Sequence, residues 1–245
     1  MRIAVSFALV DYWREEFGYA KDGHVVVPCT LSAHHASPMP HQNEIARRRT
    51  AFGMALDQIV ICYAGSEAEW QSIAKLGTWL DTLMTRDPSV ALLMMTRADL
   101  SGTPILKNYP DRVHQIWVTP DRVRETMEIA DFGLLVREPT TTNRVAAPTK
   151  FAEYLAAGLK IMISPGVGDY SQMVEEQNLG VICDLTKAPP ILDPHGSGEH
   201  RAHLIEFAYQ HFAKAAHEDS YGKLLTGLGL LPAKRNSENK GLKSE

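Results

Sequence analysis

Pro148-Thr149-Lys150-Phe151-Ala152-Glu153-Tyr154 opens a helix that closes at Gly158, and Ser164-Pro165-Gly166-Val167-Gly168-Asp169 follows the next apolar run. From Ala130 to Gly180 the chain therefore reads strand, loop, helix, strand, loop, helix. Both junctions fall outside the carboxyl ends of strands, where an open α/β sheet takes its ligand. Pro148 as the first helical residue would fix the direction of the helix, and the first-turn N–H groups after it need partners. Those donors, with the positive end of the helix dipole, suit a phosphate or diphosphate. Lys150 adds charge beside them, and Arg137, Asn143 and Arg144 stand in the preceding loop. Glu153 lies one turn inside, near Thr149 and on the Lys150 face, where it could accept hydrogen bonds from a ribose diol. The competing reading is a solvated Lys150–Glu153 ion pair worth only a few tenths of a kcal/mol. Gly166 and Gly168 permit close approach of backbone to an anion, and two such turns on successive strands say more than one. An anionic nucleotide is the expected ligand.

Outward from this stretch, short apolar runs bounded by turn signals predict strands at Gln58–Tyr63, Val90–Thr96, Val113–Val118, Phe132–Val136, Lys160–Ser164 and Gly180–Asp184. Helical patterns lie between them. Trp70, Ile73, Ala74, Gly77, Leu80 and Met84 form one apolar stripe over 67–84. Strands joined by helical crossovers predict an α/β, doubly wound parallel sheet, Rossmann-like, over 56–186. Residues 1–55 read as a strand fragment, a helix at Leu9–Phe17, a strand at Val25-Val26-Val27 and a linker with a polar helix, too little for a domain. Residues 187–232 read as a loop to 200 and C-terminal helices, with an amphipathic helix over His203–Leu225, and 233–245 as a flexible tail.

Of 245 residues, 44% are hydrophobic and 22% charged, and the net charge is −4, which lacks the broad basic footprint of a nucleic-acid binder. No apolar run approaches the roughly 20 residues of a membrane span. The N-terminal apolar stretch meets Asp11 too early for a signal peptide. Cys29, Cys62 and Cys183 are widely spaced, which favours reduced, buried thiols in a cytoplasmic protein. Attachment at the inner face of a membrane is compatible with this. His34-His35 and the group His195, His200, His203 lack metal-ligand spacing, so no metal is expected. No nucleophile-elbow pattern surrounds Ser164, which argues against a hydrolase.

Ala130 to Leu135, Pro148 to Leu159, Ser164 to Asp169 and Met173-Val174-Glu175-Glu176 resemble the donor-binding C-terminal half of GT-B glycosyltransferases of the family 4 kind. Tyr63-Ala64-Gly65-Ser66 is similar to the first strand and turn of that half, and Val5-Ser6 through Val27-Pro28-Cys29 to the closing segment of the partner half. The resemblance implies a nucleotide-sugar substrate, transfer to a glycan or other hydroxyl acceptor with retention, and no required cofactor or metal. It implies that Glu153 holds the ribose and that Gly65, Ser66, Arg144, Thr149, Lys150, Gly166 and Gly168 hold the diphosphate. It also implies that the base lies at Val118-Thr119-Pro120, with Thr119 in contact. A second acidic residue common eight positions before Glu153 is here Val145, and Glu138 is the substitute expected to touch the sugar. No residue is assigned to proton transfer. The acceptor half is expected from a missing N-terminal domain or a separate polypeptide. A non-catalytic nucleotide-binding subunit and a nucleotide-sugar epimerase remain the alternatives.

Overall fold

The computed structural model describes residues 1–32, 41–65, 73–193 and 198–232. The chain begins with β1 (Arg2–Ala4), α1 (Phe7–Phe17) and β2 (His24–Val26), and β1 and β2 pair in parallel as a separate two-stranded sheet. The Ser6 hydroxyl accepts the Leu9 N–H at 3.0 Å and starts α1, which stops at Gly18 in the left-handed region. The polar helix of the linker is α2 (Gln42–Ala51). Its arginines are anchors: Arg49 is 7% exposed and donates to the Ile129 and Gln58 carbonyls and, at 2.8 Å, to the Asp131 carboxylate. Arg48 joins Glu44 to Glu128.

There follow β3 (Ile59–Ala64), α3 (Ile73–Arg86), β4 (Val90–Met95), α4 (Pro104–Asn108), β5 (Val113–Ile116) and α5 (Val123–Met127). After these come β6 (Phe132–Leu135), α6 (Thr141–Arg144), α7 (Thr149–Ala156), β7 (Lys160–Ile163), α8 (Tyr170–Glu176) and β8 (Gly180–Ile182). The six expected strands form one parallel sheet in the order β5-β4-β3-β6-β7-β8. This is the doubly wound, Rossmann-like order, whose topological switch point lies between β3 and β6. Every residue of β3 and β4 is buried, because helices cover both faces. Val60, Cys62 and Ala64 pack on one side with Phe151, Leu155 and Phe212, while Ile61 and Tyr63 pack on the other with Leu80, Leu83 and Leu92.

The structure corrects three expectations. Pro148 is not the first helical residue but the residue before it, with extended φ/ψ of −64° and 127°, so α7 begins at Thr149. The helix expected over His203–Leu225 is two helices, α9 (Gly198–Phe212) and α10 (Glu218–Gly227), separated by a 3-10 turn at Lys214–His217. Two bonds lie at that break: Leu31 N–H, from far along the chain, donates to the Phe212 carbonyl at 2.8 Å, and locally His217 Nε2 donates to the His211 carbonyl at 2.9 Å. Residue 200 accordingly belongs to α9 rather than to a loop. The start of the helix expected at 67, the His34-His35 pair, His195 and the tail 233–245 lie outside the described residues. α10 packs against β2, so the end of the described chain returns to its beginning.

Candidate functional site

The switch point is wedged open by one side chain. β3 and β6 pair only at Ile61 with Phe132 and Cys62 with Gly133, although both strands run further. Beyond that point the Tyr154 hydroxyl sits between them, accepting the Ala64 N–H at 2.9 Å and reaching the Leu134 carbonyl at 3.4 Å. It stands where ladder hydrogen bonds would otherwise continue. Burial pushes the Tyr154 phenol well above the ordinary tyrosine value, so it remains a neutral hydroxyl able to donate and accept. Gly133 is required beneath it, because a Cβ there would lie 2.2 Å from the Tyr154 ring.

Tyr154 belongs to α7, and the start of that helix lies at the mouth of the crevice. Phe151 N–H turns back to the Pro148 carbonyl, whereas the Thr149 and Lys150 amides have no acceptor among the described residues, and no side chain caps the helix. Lys150 reaches a cleft of about 210 Å³ whose other walls are Ala64, Gly65, Met95, Trp117, Val118 and Val123. That cleft lies over the carboxyl ends of β3, β4 and β5. Lys150 Nζ donates to Glu153 Oε2, so the i,i+3 ion pair of the competing reading forms, although with side chains 29% and 15% exposed it is only partly solvated. Lys150 also lies close enough to the core to oppose the rise of the Cys62 thiol, which burial nonetheless pushes up to about 12.

Not all of the expected site residues gather here. Gly65 and Lys150 share the cleft, and Thr119 lines an adjoining one of about 440 Å³ together with Trp117 and Val118. Ser66 lies outside the described residues. Thr149 is exposed at the helix start, Glu138 is exposed after β6, and Arg144 is exposed at the end of α6 with its guanidinium on Thr141 Oγ1. Gly166 is exposed with φ 72°. Gly168 departs from expectation: its N–H donates to the Asn143 carbonyl at 3.1 Å, and a Cβ there would lie 2.1 Å from the Ala146 oxygen. The close approach that needs a glycine is therefore to the protein's own backbone. Gly168 lines a different cavity, with Phe7, Asp169 and Phe207. Asp169 accepts the Phe7 and Ala8 N–H groups at 2.7 and 2.8 Å, capping α1 rather than facing a ligand. Ser164 Oγ accepts the Arg137 N–H at 2.6 Å.

The sequence reading gave Tyr154 no role within the helix-opening stretch, and Trp117, which lines both clefts, was read only as part of the strand Val113–Val118. All three cysteines are free, with Cys62 and Cys183 buried. Among the described residues no group of three or more His, Cys, Asp or Glu could hold a metal ion, and no helix is long and apolar enough to cross a membrane.

No family model matches the chain, and no curated protein matches it. Solved structures do. WaaG, a glycosyltransferase involved in lipopolysaccharide biosynthesis, aligns at 14% identity and TM-score 0.59 over 90% of this chain and 61% of its own. Anabaena HepE in complex with UDP aligns at 16% identity and TM-score 0.66, over 91% and 63%. The E. coli trehalose-6-phosphate protein bound with UDP-2-fluoro glucose aligns at 10% identity and TM-score 0.53, over 82% and 51%. The chain thus spans half to three fifths of the length of these structures. Its parallel sheet of six strands and these alignments together give the chain the GT-B glycosyltransferase fold, the sheet matching the Rossmann-like C-terminal domain of that fold.

Proposed function

We propose that this chain binds a nucleotide-sugar and acts as the donor-binding half of a glycosyltransferase, passing a hexosyl group to a glycan or other hydroxyl acceptor with retention. The observation that carries the reading is the start of α7, whose Thr149 and Lys150 amides have no acceptor among the described residues and whose Lys150 lines the cleft at the switch point. Donors fixed before the reaction stabilise negative charge as it develops, here on a departing diphosphate. Glu153 is already held on the Lys150 side of the helix. In this reading a ribose diol donates to Glu153 while Lys150 turns to phosphate. Gly65 borders the same cleft. Glu138 and Arg144 are proposed for the sugar and phosphate from the loop after β6, and the family 4 likeness rests on the sequence of α7 and its flanks. That Anabaena HepE and the E. coli protein carry UDP or a UDP-sugar makes uridine nucleotides the first to try.

Calorimetric titration with UDP, GDP, ADP and their sugars tests the reading. At least one should bind, and Glu153→Ala should weaken it by about 1–3 kcal/mol through loss of a charged hydrogen bond. Absence of binding by every member at millimolar concentration, from a folded sample, would overturn the proposal.

A further inference from the structure

Two residues past β6, the half-buried Arg137 is held at both ends. Its N–H donates to Ser164 Oγ at 2.6 Å, from the loop after β7, and its Nη1 donates to Asn143 Oδ1 at 3.2 Å. Asn143 is fixed in turn: its Nδ2 donates to the Glu138 carbonyl at 2.9 Å, and its own carbonyl accepts the Gly168 N–H at 3.1 Å. The amide can serve Arg137 and Glu138 together in one orientation only. Asn143 thus joins the loops after β6 and β7 and sets the direction of the Arg137 side chain. Because Asn143 is neutral, its bond orders the guanidinium without cancelling its charge. A long side chain ordered beforehand has less freedom to lose when it binds.

Charge is unbalanced at this place. Between β6 and α7, residues 136–148 carry Arg137 and Arg144 against Glu138. Asp169, the one acid in the loop after β7, accepts the Phe7 and Ala8 N–H groups of α1. The cleft lined by Lys150 lies on the β3–β5 side of the switch point, whereas Arg137 follows β6 on the other side. A nucleoside in that cleft, with its diphosphate at the start of α7, leaves the sugar to the β6–β7 side. Resting on the nucleotide-sugar reading, we propose that the donor sugar carries a carboxylate, that the Arg137 guanidinium pairs with it, and that Asn143 is the positioning residue. The phosphates already have the Thr149 and Lys150 amides and the Lys150 ammonium. A further cation beyond them fits a further negative charge, and a planar guanidinium meets a carboxylate through two parallel hydrogen bonds. A hexuronate is the class of sugar that supplies one.

Titration with UDP-glucose and UDP-glucuronate tests this, since the two differ only by a neutral hydroxymethyl group against a carboxylate. If another base is preferred, its own sugar and uronate take their place. The parent should bind the uronate about ten- to hundred-fold more tightly. Arg137→Met should bring the two to equal affinity, and Arg137→Lys should keep part of the difference. Asn143→Ala should reduce the preference, yet change nothing further when combined with Arg137→Met, because it acts through that guanidinium. The ratio is read on one protein sample, so a general loss of folded protein does not move it. A parent that binds both sugars equally, or prefers the neutral one, would overturn the proposal and leave the nucleotide reading standing. A preference that survives Arg137→Met would overturn the role of Arg137, and one that survives Asn143→Ala in full would overturn that of Asn143. If the parent binds no nucleoside diphosphate at all, both readings fall together.

Discussion

The Tyr154 hydroxyl is the smallest feature on which the crevice depends. It accepts the Ala64 N–H and faces the Leu134 carbonyl at the point where β3 and β6 stop pairing. Tyr154→Phe would leave a buried amide without its acceptor, a loss of about 1–3 kcal/mol. Urea unfolding should show that loss, and nucleotide binding should weaken as well if the two strand ends drift together. A variant as stable as the parent would show that the wedge is not held by this hydroxyl. The sequence brought Lys150, Glu153 and Gly65 to one end of the sheet, because helix starts and strand ends can be located from pattern. It could not assign Tyr154, whose apolar ring fits a helix stripe and whose role exists only once β3 and β6 lie side by side. Gly168 shows a related limit: a glycine signals close approach but not what approaches, and here the Ala146 carbonyl does. Trp117 carried a faint signal, a large aromatic ring close before Pro120 at the end of a strand.

At the scale of elements, α1 is tied to the six-stranded sheet through its first turn. Asp169 takes the Phe7 and Ala8 N–H groups, and Ser6 Oγ takes the Leu9 N–H while donating to the Val145 carbonyl at 2.6 Å. The loops after β6 and β7 thus satisfy donors that an isolated α1 would leave to water. Loss of such a cap costs about 1 kcal/mol, and a carboxylate at the positive end of a helix dipole adds to it. Asp169→Ala should therefore lower stability by about 1–2 kcal/mol. It should speed amide exchange in α1 while β3 and β4 stay protected. Unchanged exchange in α1 would refute this account of the tie. Strands were the most legible elements, since β3 and β4 are buried on both faces and read as unbroken apolar runs. The break after Phe212 was hidden because Ala213-Lys214-Ala215-Ala216 is good helix sequence with no glycine or proline. What ends α9 there is Leu31, nearly two hundred residues earlier in the chain, and no local pattern records such a partner.

Across the whole molecule, apolar surface is distributed unevenly. The large sheet is covered on both faces, but Met1, Ile3 and Val5 in and beside β1 are 46%, 49% and 38% exposed, with Ala4 and Ser6 buried between and after the last two, and Phe7 at the start of α1 is 66% exposed. From Ile3 to Ser6 the period of two turns Ala4 and Ser6 inward and leaves Ile3 and Val5 as apolar side chains on the outer face. Full burial of side chains of this kind contributes about 1.5–3 kcal/mol each, so covering them has a clear driving force. A net charge of −4 on 245 residues opposes contact only weakly. The 245-residue chain should therefore self-associate, with the mean mass from light scattering rising with protein concentration. Ile3→Lys combined with Val5→Lys should suppress the rise, because both positions point outward and like charges on facing copies repel. Their exposure also means that the double variant should keep the parent's unfolding midpoint, which separates lost association from lost folding. A parent that stays monomeric at every concentration would refute the prediction. Association undiminished in the double variant would move the contact to another surface, with exposed Phe17 and Leu230 the next positions to change.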